Sequence, residues 1–274
     1  MRKIVYLLLT FLGPSAMAQT SRVIDPQPIL ECQYRIMETD DTLNNDNYNE
    51  DQGLLRIGKK ASLFYNMKTF YVDSLCSTPG GDRLWGDMMV AAIRSRQYNS
   101  MPGAKTSVNE YVYKNWPGGK ITVADQVATS YFTYEEDYMP QDWVMSDSTK
   151  AILGYTCQKA ECDFRGRHYI AWFSTEIPLC DGPWKFNGLP GLILEVYDSK
   201  MFYHFIAVGI RQTEVQPLMF YKYHDYVETT LRKFASAKRK ERTIISAQMS
   251  SLGIGNISAG DGKDVPVPGG MEKW

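Results

Sequence analysis

The sequence lacks any long hydrophobic run. The longest apolar stretch, Ile4–Leu12, is shorter than the roughly 20 residues that a membrane-spanning helix needs. Arg2 and Lys3 precede this stretch, and Ala16-Met17-Ala18 follows it as a small-x-small cleavage site. We therefore expect residues 1–18 to be a secretory signal peptide, cut after Ala18, and the remaining chain to carry no transmembrane segment. This predicts an exported protein of the periplasm or the outer cell surface.

The chain also lacks an excess of charge of either sign. Among 274 residues, Lys and Arg number 30 and Asp and Glu number 31, which argues against general nucleic-acid binding. No nucleic-acid partner is expected for this reason. The length is sufficient for one large domain with a substantial core. The 18 Tyr, 11 Phe and 6 Trp favour strands and apolar grooves over helical bundles.

The sequence contains none of the familiar catalytic motifs. No serine lies in a Gly-x-Ser-x-Gly elbow, no His-Glu-x-x-His is present, and no glycine loop is arranged to bind phosphate. Glycoside hydrolysis requires only two carboxylates, and Asp181 and Glu195 flank one turn-rich segment. Cys157 would need a base to act as a nucleophile, and His168 is the local candidate. A structural role for these residues is favoured, and a hydrolase of envelope polymers stays an alternative.

Cysteine and histidine are too scattered to predict a metal centre. The five cysteines are Cys32, Cys76, Cys157, Cys162 and Cys180. Export permits disulfides between them, and an odd number leaves at least one thiol unpaired. The close pair at 157 and 162 has no second Cys pair or His pair at ligand spacing, so neither a metal nor a cofactor is expected.

Period-two alternation between turn signals predicts a mainly β protein. Helical spacing is present in Leu84–Tyr98 and Asp225–Arg242, and Thr69–Leu75 either continues a strand or begins a helical turn. We expect an α+β fold with a curved or half-open antiparallel sheet and one or two helices packed on it. Strands are predicted at Leu30–Met37, Gly53–Ile57, Lys60–Asn66, Asn109–Asn115, Lys120–Ala124, Ser130–Glu135, Lys150–Ala160, Arg167–Thr175, Leu192–Tyr197 and Met201–Arg211.

The same patterns suggest a simple division of the chain. Residues 19–249 are expected to form a single domain, and residues 250–274 a flexible tail rich in Gly, Ser and Pro. The second helix carries several Lys and Arg residues on its outer face and at its end. Such a helix can bind an anionic membrane surface, although a solvated face is the favoured interpretation.

The stretch Asp181–Asp198 is the most densely patterned part of the chain. Gly182-Pro183, Asn187-Gly188 and Pro190-Gly191 are three successive turn signals, and an alternating strand follows them. The hexapeptide Gly188-Leu189-Pro190-Gly191-Leu192-Ile193 occurs in order after Gly154-Tyr155-x-Cys157-x-Lys159-Ala160 and Arg167-x-Tyr169-x-Ala171-Trp172-Phe173. This series resembles the GLPGLI family of secreted Bacteroidetes proteins, strongly over about residues 140–198. The resemblance implies an exported protein of unassigned biochemical function and brings no catalytic residues with it.

The cysteines at 162 and 180 depart from the family pattern. A hairpin that turns at residues 162–166 would bring Cys180 back towards Cys157, so a Cys157–Cys180 disulfide is a hypothesis, and Cys32–Cys76 is a second one.

The candidate ligand-binding residues surround the central turns: Trp172, Asp181, Trp184, Lys185 and Phe186. Their aromatic rings either close the core or form the lip of a site for an apolar ligand or a partner chain. The leading hypothesis is an exported, non-enzymatic binding or carrier protein of the cell envelope. Its shape could be similar to that of periplasmic lipoprotein carriers, an analogy at the level of the fold. The alternatives are the carboxylate-dependent hydrolase and a structural envelope component.

Overall fold

The computed structural model describes residues 21–39, 48–97, 100–251 and 271. The expected signal peptide and most of the expected tail lie outside these residues. The first part of the described chain contains β1 (Ser21–Asp25), β2 (Leu30–Glu38), β3 (Asn49–Ile57), β4 (Ser62–Asn66), α1 (Met67–Cys76) and α2 (Gly81–Arg94). The middle part contains β5 (Tyr111–Lys114), β6 (Lys120–Val127), β7 (Ser130–Asp137), β8 (Val144–Ile152), β9 (Tyr155–Phe164) and β10 (Arg167–Ser174). The last part contains β11 (Leu192–Asp198), β12 (Tyr203–Arg211), β13 (Leu218–Tyr221), β14 (Val227–Thr230) and α3 (Leu231–Ser251).

One large open sheet organises the fold. Its 12 strands run in the order β14-β7-β6-β5-β4-β3-β2-β12-β11-β10-β9-β8. Every neighbouring pair is antiparallel except β14 and β7, which are parallel. A second, two-stranded sheet pairs β1 with β13. The mainly β, mostly antiparallel fold class predicted from the sequence is confirmed.

The large sheet buries apolar side chains on both faces. In β5, alternation directs Val112 to one face and Tyr111 and Tyr113 to the other. We call the face that carries Val112 the inner face, because it holds the larger core. The smaller core on the outer face is covered by β13, through Leu218 and Tyr221, and by α1. Both faces of the central strands are therefore shielded from water.

Side-chain capping and strand pairing set where the helices begin. The side-chain oxygen of Asn66 accepts a hydrogen bond from the Lys68 backbone N–H at 2.9 Å and caps α1. The helix predicted at Leu84–Tyr98 corresponds to α2, which begins at Gly81 and ends at Arg94, and the predicted end at Tyr98 lies outside the described residues. With α1 and α3, the described residues contain three helices, where one or two were expected. The helix predicted from Asp225 begins later, because residues Val227–Thr230 first pair with β7.

The predicted strand Lys150–Ala160 was wrong, since it spans a turn. Leu153 and Gly154 both have positive φ, at 52° and 86°, and reverse the chain between β8 and β9. The next turn, at Arg165 and Gly166, lies beyond Cys162, which remains inside β9. The expected hairpin is present as β9 and β10, with its turn at Arg165 and Gly166, and a second hairpin of β8 and β9 precedes it.

Candidate functional site

The segment between β10 and β11 folds back onto the inner face, and we call its residues 181–191 the plug. Gly188 has a φ of 92°, and a Cβ at this position would lie 2.5 Å from the Pro140 Cβ. A Cβ on Gly191 would lie well within 3.0 Å of the Ser174 carbonyl oxygen. Only glycine fits such positions, so the path of the chain explains both glycines of the Gly-Leu-Pro-Gly motif.

Apolar side chains of the plug fill the inner face. Trp184, Phe186 and Leu189 are all buried in the main core. The Phe186 ring lies 4.7 Å from the Tyr169 ring and 5.3 Å from the Trp184 ring, edge to face in both cases. Here the side chains of the protein itself close the core.

Asp181 forms a buried ion pair with Lys114 of β5. The Lys114 ammonium contacts Oδ1 of Asp181 and donates to the carbonyl oxygens of Gly182 at 2.5 Å and of Phe186 at 3.3 Å. The Lys114 side chain is 0% exposed. Burial lowers the pKa of Lys114, and the charge of Asp181 opposes that change. This pair attaches the first turn of the plug to the sheet.

Lys185 connects the plug to β7. Its Nζ lies 2.6 Å from Oε1 of Glu136 and 3.2 Å from the Tyr134 hydroxyl oxygen. The second carboxylate oxygen of Glu136 contacts the guanidinium of Arg165, in the turn between β9 and β10. Strands β7 and β9 each lie next to an edge of the sheet. One carboxylate thus links the plug and both ends of the sheet.

Trp184 is positioned by a second carboxylate. Its indole Nε1 donates to Oε1 of Glu110 at 2.7 Å, and the Asn109 backbone N–H donates to Oε2 at 3.0 Å. Burial raises the pKa of Glu110, Asp125 adds to the rise, and Lys238 of α3 opposes it. Lys238 itself lies 2.6 Å from Asp125. The resulting cluster joins the plug, β6 and α3.

Trp172 lies apart from the other four predicted residues, at a half-buried position of β10 that alternates with the inward-facing Tyr169 and Ala171. The Lys150 ammonium is 4.3 Å from the centre of its ring and also contacts Glu195. His204 Nε2 lies 2.8 Å from Glu195 Oε1. Burial alone would raise the pKa of Glu195, but His204 and Lys150 outweigh it and hold that pKa below its usual value. Among the described residues, the Trp172 indole nitrogen has no hydrogen-bond partner.

The two carboxylates considered for hydrolysis do not converge. Asp181 binds its lysine on the inner face, whereas Glu195 binds its cations on the outer face. The thiol considered as a nucleophile is also unsuited to that role. Burial raises the pKa of Cys157 to about 11, so the reactive thiolate is disfavoured. His168 is bound instead to Asp163, at 2.9 Å.

The five cysteines are free thiols, so neither proposed disulfide is formed in this structure. Cys32 lies in the inner core, whereas Cys76 ends α1, which packs on the outer face. Cys157 is buried within β9, while Cys180 is exposed in the loop before the plug. The hairpin of β9 and β10 places Gln158 opposite Phe173, but β10 ends at Ser174, so the strand does not carry Cys180 back to Cys157.

Within residues 21–39, 48–97, 100–251 and 271, no group of three or more His, Cys, Asp or Glu side chains is arranged to hold a metal ion. No helix of that part of the chain combines the length and apolar character needed to cross a bilayer.

Lys114, Glu110 and Glu136 complete this region, and none of the three was predicted from the sequence. The signal was present for Lys114, which has the same strand parity as the buried Val112. A charged side chain at an inward position needs a buried partner. Nothing local indicated that the partner would be Asp181.

Comparisons with known proteins identify one short family match, to a family whose function is unknown. A family model described as a protein of unknown function (Porph_ging) matches residues 165–195, which include the whole plug. No curated protein sequence matches the chain. Crystal structures of PNGF-II in two space groups are similar to it, each with 12% identity and a TM-score of 0.49, over 81% and 78% of this chain. The match spans only 34% and 33% of the PNGF-II chain.

Proposed function

We propose that the protein is an exported, non-enzymatic binding protein of the cell envelope, and that its partner is another protein docked on β8. One observation carries this proposal. Residues 144–149 of β8 are exposed on both faces of the strand, although they form part of the ordered sheet. Val144 is 72% exposed and Met145 is 53% exposed.

The exposure of β8 has a physical cost that a partner would remove. Apolar side chains gain stabilisation from burial, and here two successive ones remain in water. As the last strand of the large sheet, β8 also has an outer edge with no neighbouring strand among the described residues. An extended segment of a partner can add to such an edge by main-chain hydrogen bonds. Met139 and Leu153, also exposed, extend the apolar surface beyond the two ends of the strand.

The plug favours a protein partner over an apolar small molecule. A carrier of acyl chains needs an open concave surface. Trp184, Phe186 and Leu189 occupy the inner face, where such a ligand would bind. Export is supported by the sequence pattern of residues 1–18 and by the resemblance to secreted proteins.

Site-specific photo-crosslinking in the native cell envelope tests the proposal. A benzophenone amino acid at Val144 should give one adduct of defined mass, because the partner covers this position. The matched control is Val208 on β12, which is also exposed but distant in the sheet order. The adducted protein is then purified separately and its affinity for this chain is measured. Val144→Asp should weaken the complex by about tenfold or more, since it places a charge in an apolar contact.

The control variant Val208→Asp should leave that affinity unchanged. Equal adducts from both positions, or equal affinity of both variants, would show that β8 is not the docking strand. Detection of a stoichiometric small-molecule ligand by native mass spectrometry, with no protein adduct at Val144, would favour the carrier alternative.

A further inference from the structure

The carboxy-terminal segment contacts the core at Met271. Although it is only three residues from the end of the chain, Met271 is 5% exposed and belongs to the main inner core. Its backbone carbonyl oxygen accepts a hydrogen bond from the Tyr169 hydroxyl at 3.0 Å. Tyr169 lies on β10, 102 residues earlier in the chain, and is fully buried.

This contact has the form of peptide recognition. One apolar side chain enters the core, and one backbone carbonyl is held by a side-chain donor, as in complexes of extended peptides. The surroundings of Tyr169 suit an unbranched side chain. On the inner face its neighbour across the strands is Cys162 of β9, and its ring packs against Phe186 of the plug. A flexible thioether adapts well to such an aromatic and sulfur-containing surface.

We propose that the inner face beside Tyr169 is a peptide-binding site, and that Met271 is its intramolecular ligand. The site binds an unbranched apolar side chain, and the Tyr169 hydroxyl donates a hydrogen bond to a backbone carbonyl oxygen of the same peptide. Met271 occupies the site in the free protein and competes with any peptide supplied from outside. This inference does not depend on docking at β8, which lies at the edge of the sheet.

A peptide competition assay on the full chain tests the site. The probe is a fluorescent peptide with the sequence of residues 262–274, followed by fluorescence anisotropy. The wild-type chain should bind it weakly, because its own Met271 fills the site. The variant Met271→Asp should bind it at least about tenfold more tightly, because a charged side chain is a poor occupant of an apolar site. Val208→Asp, at an exposed apolar position on β12, is the matched control and should behave as the wild type.

Two further variants make the test specific. Met271→Gly empties the site without adding charge and should also bind the probe, even if the aspartate variant fails to fold. We call Met271→Asp and Met271→Gly the open variants. Adding Tyr169→Phe to either of them keeps the aromatic ring but removes the hydroxyl donor, and should weaken probe binding several-fold. A probe that itself carries Met271→Asp should not bind. Failure of both open variants to bind the probe, while their circular dichroism matches the wild type, would overturn the proposal. Equal binding by the wild type would do so too.

Discussion

Replacing Lys114 with methionine will show how strongly buried charge holds the plug. The substitution leaves the Asp181 carboxylate and the carbonyl oxygens of Gly182 and Phe186 without this donor. Removing one partner of a buried ion pair costs about 3–5 kcal/mol, because the remaining charge stays out of water. In a domain of this size, about 1 kcal/mol shifts the melting temperature by about 2–4 °C, so Tm should fall by about 6–20 °C.

Urea unfolding followed by tryptophan fluorescence measures the loss, with the buried Trp184 as one reporter. The matched control is Lys120→Met, which removes the same charge at the surface. Lys120 lies 2.6 Å from Asp137, but their side chains are 45% and 73% exposed. Water and salt screen such an exposed pair, so the control should change the free energy of unfolding very little.

The double variant Lys114→Met with Asp181→Leu separates pairing from packing. Each single variant leaves one buried charge without its partner, whereas the double variant leaves neither. Its cost should therefore be smaller than the sum of the single costs, by at least about 2 kcal/mol. Additive losses, or a Lys114→Met variant as stable as Lys120→Met, would refute the reasoning.

Four further predictions concern stability, thiols and export. Burial and Asp125 raise the pKa of Glu110 above its usual 4.5, so the folded wild type loses stability as the pH rises from 4.5 through the raised pKa. Glu110→Gln should abolish this loss when stability is measured by urea unfolding at several pH values. Parallel curves of stability against pH for the two proteins would contradict it. Gly191→Ala should destabilise by at least about 2 kcal/mol because its Cβ meets a backbone carbonyl, whereas Gly154→Ala, in open space at positive φ, should cost about 1 kcal/mol. Iodoacetamide should label the exposed Cys180 first in the native chain, and any disulfide-linked peptide in an unreduced digest would be inconsistent with free thiols. The mass of the exported chain should correspond to cleavage after Ala18, and an exported chain that retains residues 1–18 would rule this out.

Local patterns explain which parts of the fold could be predicted. The hairpin of β3 and β4 follows from alternation on either side of Gly58 and Lys59, because both strands and their turn are adjacent in sequence. The break after β8 was missed because Leu153 adopts positive φ, which its residue type does not suggest. β14 was taken for helix because its partner, β7, is remote in sequence.

In the candidate site, too, features that depend on local sequence could be predicted, and features that depend on long-range contacts could not. The turns of the plug could be predicted from local sequence, since glycines at 188 and 191 are required by backbone conformation and close approach. Trp172 and Trp184 also belong to one patterned region of the sequence. Their separation, with Trp184 in the plug and Trp172 on β10 beside Lys150, depends on the tertiary structure.

The partners of the plug were likewise decided only by the tertiary structure. The sequence marks Asp181 and Lys185 as charged residues within an apolar segment, which shows that they need partners if buried. It does not show that Lys114 and Glu136 supply them. The physical reason is that these contacts join strands and loops distant in the chain. They arise only when the register of the whole sheet and the path of the plug are in place.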